Sequence, residues 1–378
     1  MVSLSPSVCY EVAHHCDNAE RLSLYRLSKR VRSVMRGLFY RNIQVKGNAA
    51  TLVVRSLALN ADLCKLVECL WFLDRYVLVE GKHWAAALPR MKNLWFLIIA
   101  GTIDIPRHII PRIPFQLRFF GSVSNVSGNW PYFLVTQVAL EEIAINGEFR
   151  GAYPGRGTLP SLRHVKLMAL DLTHLVPRHP ELTDIWFLTR NHLAERTLRF
   201  EDAQKFARTS YPQLTALRIG VPELLPLLRA APRMLYGLRD LVLDEDLTWS
   251  GFTLEDEPQE TDEVLYLWES PLRSLAECLN KRFRELETVF LVFHPGENSR
   301  INNNRRLLSC SDARCFATVF ASYATAPLFQ TLRIKAADGY AVCKDWDVYG
   351  MKYFPLEDKR RVQTPRYARI FNHEDDNF

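Results

Sequence analysis

The residues best suited to chemistry near the start of the chain are His14, His15, Cys9 and Cys16. Imidazole and thiolate groups are the ligands that zinc prefers in proteins. On a helix, however, His15 and Cys16 point to different faces, and an apolar stripe already uses Cys9 and Cys16. The pattern therefore favours core thiols with surface histidines over a metal site.

Four further cysteines form two pairs, Cys64 with Cys69 and Cys310 with Cys315. Their five-residue spacing suits neither a zinc knuckle nor one helical face, which favours buried structural thiols. The N-terminus lacks the basic and apolar regions of a signal peptide, and no apolar run is long enough to span a membrane. We therefore expect reduced thiols, no cofactor, no membrane partner and a cytoplasmic or nuclear location.

Catalytic motifs are missing from the sequence. Glycines at 151, 155 and 157 could suggest a phosphate-binding loop, but no Lys-Ser/Thr follows and the next segment is strand-like. Neither Gly-x-Ser-x-Gly nor His-Glu-x-x-His occurs. The sequence predicts a protein that is not an enzyme, and an enzyme is the disfavoured alternative.

The charge of the chain is modest, at +6 from 48 basic and 42 acidic residues, which argues against a nucleic-acid partner. A basic run over residues 29–41 could contact nucleic acid. Its interleaved apolar residues instead favour the solvated face of a helix inside a binding module.

The elements that position the remaining residues repeat along the chain as a Leu-x-x-Leu-x-Leu hexamer. Alternation at period two predicts a short, half-buried strand in each. The hexamers start near residues 67, 94, 117, 140, 162, 182, 214, 238, 286 and 329. Most spacings suit leucine-rich repeats, and the two long gaps after 238 and 286 must hold insertions or a missed unit. One such unit cannot bury its own apolar face, so the units must stack.

Residues 1–46 differ from this pattern. Ser5-Pro6 predicts the start of a first helix, because a hydroxyl can cap it and proline suits its first position. An amphipathic pattern then predicts helix up to Gly37, which we expect to end it. Residues 38–45 are expected to enter the first strand.

Three segments of this region resemble an F-box. Residues 4–12 look like its opening helix, and residues 24–33 resemble its second signature, in which an apolar stretch leads into Ser-Lys-Arg-Phe-Arg. Residues 38–43 are similar to the Leu-Leu-Tyr-Arg-x-Ile exit of many fungal F-box proteins with irregular leucine-rich repeats.

The resemblance implies an α/β fold in three parts. A small helical F-box-like module occupies residues 1–46. An irregular leucine-rich-repeat solenoid follows over 47–345, with parallel strands on its concave face and helices and loops on its convex face. Residues 346–378 form a C-terminal cap and tail.

The resemblance also implies a function: the substrate-recognition subunit of a cullin-RING (SCF-type) ubiquitin ligase. Its partners would be a Skp-family adaptor, the cullin scaffold and a target protein, and it would act by proximity alone. The alternative is a leucine-rich-repeat interaction scaffold whose N-terminal helices merely cap the array. The residues that match the adaptor-binding pattern are Leu4, Pro6, Val8, Val12, Leu24, Leu27 and Val31.

A target would bind the residues between the buried leucines, which face the concave surface of such an array. Large aromatic side chains and arginine supply most hot spots of protein interfaces. The alternative is that neighbouring side chains merely cover each other across the strands. The residues assigned to this surface are Trp71, Trp95, Lys166, Trp186, Arg218, Val242, Phe290 and Arg333, and the predicted target-binding residues are Trp95, Trp186, Arg218 and Arg333.

Overall fold

The fold is taken from a computed structural model of the chain, whose described residues fall into segments. These are residues 28–45, 49–72, 81–99, 104–122, 124–151, 157–188, 200–206, 211–230, 232–246, 285–294, 331–335, 339–344 and 352–355, with isolated residues that include Val8, Val12, Leu24, Arg26, Gly47 and Leu198. The chain divides into two compact units, residues 1–182 and 183–378. Each unit is described by itself.

The sheet of the first unit is parallel, and its strands follow one another in chain order. Each strand pairs with the next in register, so residues at the same place in successive strands lie side by side. One such row, from Ile43 through Leu70 and Leu97 to Val165, is buried along its whole length. The strands in the described part of this unit are β1 (Asn42–Val45), β2 (Cys69–Phe72), β3 (Phe96–Ile99), β4 (Phe119–Ser122), β5 (Glu142–Ile145) and β6 (His164–Met168).

The helices of the first unit are short, apart from the first two. In its described segments they are α1 (Lys29–Arg41), α2 (Ala49–Leu59), α3 (Ala61–Cys64), α4 (Gly81–Ala87), α5 (Trp130–Val135) and α6 (Ala169–Leu175). Three 3₁₀ helices accompany them, at Leu88–Arg90, Arg107–Arg112 and Val176–Arg178. Short helices suit a fold in which each connection links one strand to the next strand beside it in the sheet.

The second unit also begins with parallel strands in chain order, β7 (Asp184–Leu188), β8 (Ala216–Gly220), β9 (Asp240–Asp246), β10 (Thr288–His294) and β11 (Thr331–Lys335). Then β12 (Gly339–Lys344) and β13 (Lys352–Pro355) pair in antiparallel fashion. Its described helices are α7 (Phe200–Ala203), α8 (Val221–Ala230) and a 3₁₀ helix at Pro232–Leu235. Helix α8 contains Pro226 in its interior.

The hexamers predicted the strands closely. Each strand from β2 to β11 begins two residues after the start of its hexamer. The prediction of an α/β chain built on parallel repeat strands is therefore confirmed within each unit. In the sheet β10 pairs directly with both β9 and β11, so no further repeat strand lies between them there. The residues of the two long gaps lie mostly outside the described segments.

Two predicted boundaries around α1 were wrong. The helix does not end at Gly37 but continues through it to Arg41, and the first strand starts only at Asn42. The backbone of Gly37 stays helical, so no left-handed residue stops the helix there. The N-terminus of α1 lies where Ser28 is extended and its Oγ accepts a hydrogen bond from the Val31 backbone N–H at 3.1 Å.

The predicted domain boundaries at 46 and 345 stay predictions. Strand β1 lies just before residue 46 and belongs to the sheet of the first unit. The β12–β13 pair lies on both sides of residue 345. None of the helices in the described segments is long and apolar enough to cross a membrane.

A second repeated feature lies three residues before the hexamers. In most of the described repeats the residue there is fully or almost fully buried, and its carbonyl accepts a hydrogen bond from the N–H of the first hexamer residue. The hexamer at Leu117 differs, because the exposed Pro114 stands at this place. Leu159, Leu235 and Gln137 show this arrangement, with N···O distances of 3.2, 3.3 and 3.1 Å. This turn leads the chain into the strand. The residue three before the hexamer packs in the core, so its side chain must fit there.

Candidate partner-binding surfaces

The predicted adaptor-binding residues are only partly described. Val8 and Val12 are both helical, and a spacing of four residues is the spacing of neighbours on one side of a helix. Both are exposed, at 45% and 46% of the residue surface. Leu24 and Val31 are helical and half-buried, whereas Leu4, Pro6 and Leu27 lie outside the described residues.

The outer face of the sheet is the face formed by the third and fifth residues of each hexamer, opposite the buried leucine-type residues. In the first unit its third-position row is Asn42, Cys69, Phe96, Phe119, Glu142 and His164, and its fifth-position row is Gln44, Trp71, Ile98, Gly121, Ala144 and Lys166. These rows are the place where the sequence predicts partner contacts.

The outer face of the first unit is largely closed by its own side chains. Ile98, Phe119 and Lys166 are buried there. The rings of Phe96 and Phe119 stack at 4.3 Å between centroids. A Cβ built on Gly121 would lie 2.9 Å from Ile98 Cγ1 and 3.0 Å from a ring carbon of Phe119. Here neighbouring side chains cover each other, as the alternative interpretation expected.

Trp95 does not lie in either row. It is the second residue of its hexamer and precedes β3, and the residue paired with Trp71 is Ile98. Trp95 is nevertheless exposed, at 40%, and its ring meets Phe96 edge-on at 5.8 Å. The register therefore places Trp95 outside the row that holds Trp71 and Ile98, and its role in target binding stays a prediction.

The second hexamer position forms a column of its own along the edge of each sheet. The carbonyl of Glu68 accepts hydrogen bonds from the N–H groups of Trp95 and Phe96, and the same pattern repeats at later hexamers. Opposite charges often follow each other in this column. Arg41 pairs with Glu68 at 2.8 Å, and Arg118 with Glu141 at 2.8 Å. Hydrogen bonding to Glu141 raises the pKa of Arg118. The residues of this column therefore bond mainly to one another at the start of each strand.

The outer face of the second unit is more open. Its fifth-position row runs Trp186, Arg218, Val242, Phe290 and Arg333. The first four are half-buried, and only the backbone register is described for Arg333. The Arg218 guanidinium lies over the Trp186 ring, 3.9 Å from its centroid. A cation stacked this closely on an indole orders both side chains in advance of binding.

The two described cysteines do not form a reactive site. Burial raises the pKa of Cys64, whose Sγ donates a hydrogen bond to the Leu57 carbonyl oxygen at 3.0 Å. Burial and then the charge of Glu68 raise the pKa of Cys69 to about 11. Both thiols are therefore protonated at neutral pH. Cys64 is buried, as predicted, whereas Cys69 is only half-buried. Cys9, Cys16, His14, His15, Cys310 and Cys315 lie outside the described residues.

No group of three potential metal ligands occurs among the residues that are described. The features that the sequence did not reveal are the closure of the first outer face and the Arg218–Trp186 stack. The small residues Gly121 and Ala144 in the fifth position could have signalled the closure, because they leave room for Ile98 and Phe119 to lean across.

Comparison with known proteins adds little. No family model matches the chain, and no curated protein does. Among the solved structures that match is one described as the crystal structure of the TLR13-ssRNA13 complex, with 11% sequence identity and a TM-score of 0.30. The match covers 62% of this chain and 27% of that one, so this chain spans well under half of that protein. A TM-score this low defines neither fold nor function.

Proposed function

We propose that this chain is the substrate-recognition subunit of an SCF-type cullin-RING ubiquitin ligase. The observation that carries the proposal is the exposure of Val8 and Val12 on a helix, at positions that match the F-box pattern. Half-exposed valines are available to a partner, and the feature that distinguishes Val8 and Val12 from other exposed apolar residues, such as Leu52 and Leu59, is their match to the F-box pattern. The partner in question is a Skp-family adaptor, which in turn holds the cullin scaffold.

The proposal assigns no chemistry to this chain. Its first 46 residues hold the adaptor, and its repeat strands hold a target. Recruitment then raises the effective concentration of the target near the ubiquitin-conjugating enzyme. The target would contact the outer face of the second unit, around Trp186 and Arg218, where aromatic and guanidinium groups are accessible and already ordered.

Co-expression with the Skp-family adaptor tests the adaptor contact. We expect the intact chain to copurify with the adaptor, and the double variant Val8→Asp/Val12→Asp to lose it, because two carboxylates would be buried in an apolar interface. The matched control is Leu52→Asp/Leu59→Asp, which places the same charges on α2, where the leucines are 65% and 76% exposed. Failure of the intact chain to copurify, or equal loss in both variants, contradicts the proposal.

A second candidate function is an interaction scaffold in which the N-terminal helices only cap the repeats. It is favoured by the integration of α1 and β1 into the first unit. Met35 on α1 is fully buried, and Ile43 and Val45 on β1 are nearly so. Under this proposal Val8 and Val12 need no adaptor, and both double variants behave alike.

A further inference from the structure

One side of α1 collects cations. Lys29, Arg32 and Arg36 follow one another at spacings of three and four residues, so at 3.6 residues per turn they share one side of the helix. All three are exposed. The helix contains no acidic residue. Residues 1–46 hold eight basic and three acidic residues, a net charge of +5, so nearly all of the chain's +6 is concentrated there.

The other side chains on this side of α1 are hydrogen-bond donors. Ser33 is exposed between the cations, and Tyr40 is half-buried near the C-terminal end. Met35, the fully buried residue of α1, lies on another side. We call Lys29, Arg32, Ser33, Arg36 and Tyr40 the donor face of α1.

Gly37 provides a separate observation beside the donor face. A glycine in the interior of a helix destabilises it relative to alanine. No described heavy atom lies within 4 Å of a Cβ built at Gly37. Packing within the described chain therefore does not require glycine there. A ligand that approaches the helix backbone closely would require it.

We propose that the donor face of α1 binds the sugar-phosphate backbone of a nucleic acid without reading its sequence. Lysine, arginine, serine and tyrosine are side chains that donate to phosphate oxygens. A protein partner fits less well, because interface cores are apolar and depleted in lysine, and the large apolar side chains at or beside this face, Phe39 and Tyr40, are half-buried. The site uses different side chains from Val8 and Val12 and does not depend on the adaptor. The modest overall charge of the chain predicts no nucleic-acid partner, whereas the donor face predicts one, and the experiment below decides between these two predictions.

The test is fluorescence anisotropy of a labelled 20-base-pair DNA duplex titrated with the intact chain at several salt concentrations. We expect a Kd of about 10⁻⁶–10⁻⁴ M at physiological salt, typical of non-specific binding, and tighter binding at low salt. Three phosphate contacts give a slope of about −2.7 in log K against log salt, so affinity falls about fortyfold between 50 and 200 mM NaCl.

Two triple variants with the same charge change locate the site. Lys29→Gln/Arg32→Gln/Arg36→Gln removes the cations of the donor face, and glutamine keeps a similar helix propensity. The matched control Lys92→Gln/Arg112→Gln/Arg229→Gln removes three exposed cations elsewhere. We expect the first to weaken binding at least tenfold and to flatten the salt dependence, and the control to bind like the intact chain.

Gly37→Ala gives a test that leaves every charge in place. We expect it to melt at the same temperature or higher and to bind the duplex at least threefold more weakly. The proposal is overturned if the intact chain does not bind the duplex at 50 mM NaCl, if both triple variants weaken binding equally, or if Gly37→Ala binds normally. Tighter binding of a polyglutamate of equal charge would also overturn it, because the face would then suit an acidic protein. Each result is independent of copurification with the adaptor, so this proposal can fail while the ligase role stands.

Discussion

Replacement of His179 by methionine should stabilise the first unit and make its stability less dependent on pH. His179 is fully buried, three residues before the hexamer that starts at Leu182. Met91 and Leu235 occupy the same place in other repeats and are also fully buried. The position therefore accepts an apolar side chain. The polar Gln137 also occupies it, but both of its side-chain groups have hydrogen bonds, whereas one ring nitrogen of His179 has none among the described residues.

The size of the expected stabilisation follows from the hydrogen-bond partners of the two nitrogens in the His179 ring. Nδ1 lies 3.4 Å from a carboxylate oxygen of Glu181, a long contact. Nε2 is buried and has no partner among the described residues. An unsatisfied buried polar atom costs about 1–3 kcal/mol. Methionine should therefore raise the melting temperature by several degrees, since about 1 kcal/mol corresponds to about 2–4 °C in a unit of this size.

The pH dependence has a definite sign. Burial lowers the pKa of His179 below its ordinary 6.5, and the contact with Glu181 only partly opposes this. Below pH 6.5 the histidine of the unfolded chain therefore binds a proton more readily than that of the folded chain. Its contribution to the free energy of unfolding is fully present above pH 6.5 and is lost as the pH falls below that value. At pH 5.5 the loss is at most about 1.4 kcal/mol.

Thermal unfolding at pH 7.5 and pH 5.5 measures both effects. We expect His179→Met to melt higher at both pH values, with the larger gain at pH 5.5. The reciprocal variant Met91→His should melt lower and gain the pH dependence. A His179→Met protein that melts lower than the parent at pH 5.5 would refute the reasoning, because histidine would then be the better-satisfied residue.

Three further predictions concern the described parts of both units. Gly121→Val should destabilise the first unit by about 1–3 kcal/mol, because the new side chain would overlap Ile98. Gly237→Ala should be tolerated, since a Cβ there meets only a backbone oxygen at 3.7 Å. Thermal unfolding compares the two variants, and equal melting temperatures would contradict the closed outer face. The pKa of Cys69 is raised to about 11, so about 0.1% of this thiol should be ionised at pH 8, against about a quarter of a free cysteine of pKa about 8.5. Its labelling by iodoacetamide, followed by mass spectrometry, should therefore be slow at pH 8 and rise above pH 10, and fast labelling at pH 8 would contradict this prediction. A chain that lacks residues 1–27 keeps α1 and β1. If residues 1–27 form a separable module, this shorter chain should stay soluble and monomeric in size-exclusion chromatography. Aggregation of the shorter chain would favour the capping scaffold.

The strands could be predicted from sequence because the information is local. Alternation within each hexamer, as in residues 214–219, fixes which side chains are buried whatever the connections do. The turn before each strand was missed because its buried residue varies in type from Leu159 to Gln137 and His179. No single residue type marks that position.

The candidate surfaces were less predictable because they depend on neighbours across strands. Trp95 is the second residue of its hexamer and Trp186 is the fifth, and the register places Ile98 and not Trp95 beside Trp71. The closure over Gly121 requires side chains from β3 and β4 to meet, which no single hexamer reveals. The end of α1 was missed because Gly37 usually stops helices, whereas here the backbone continues to Arg41.

The central claim is that one chain carries two separable surfaces, one for the adaptor and one for a target. Quantitative mass spectrometry of proteins captured by the tagged chain, with the proteasome inhibited, tests it most directly. We predict that Val8→Asp/Val12→Asp loses the Skp-family adaptor and the cullin but keeps the other captured proteins. Trp186→Ala/Arg218→Ala should show the reverse. Capture of the same set by both variants, or of neither adaptor nor cullin by the intact chain, would contradict the account.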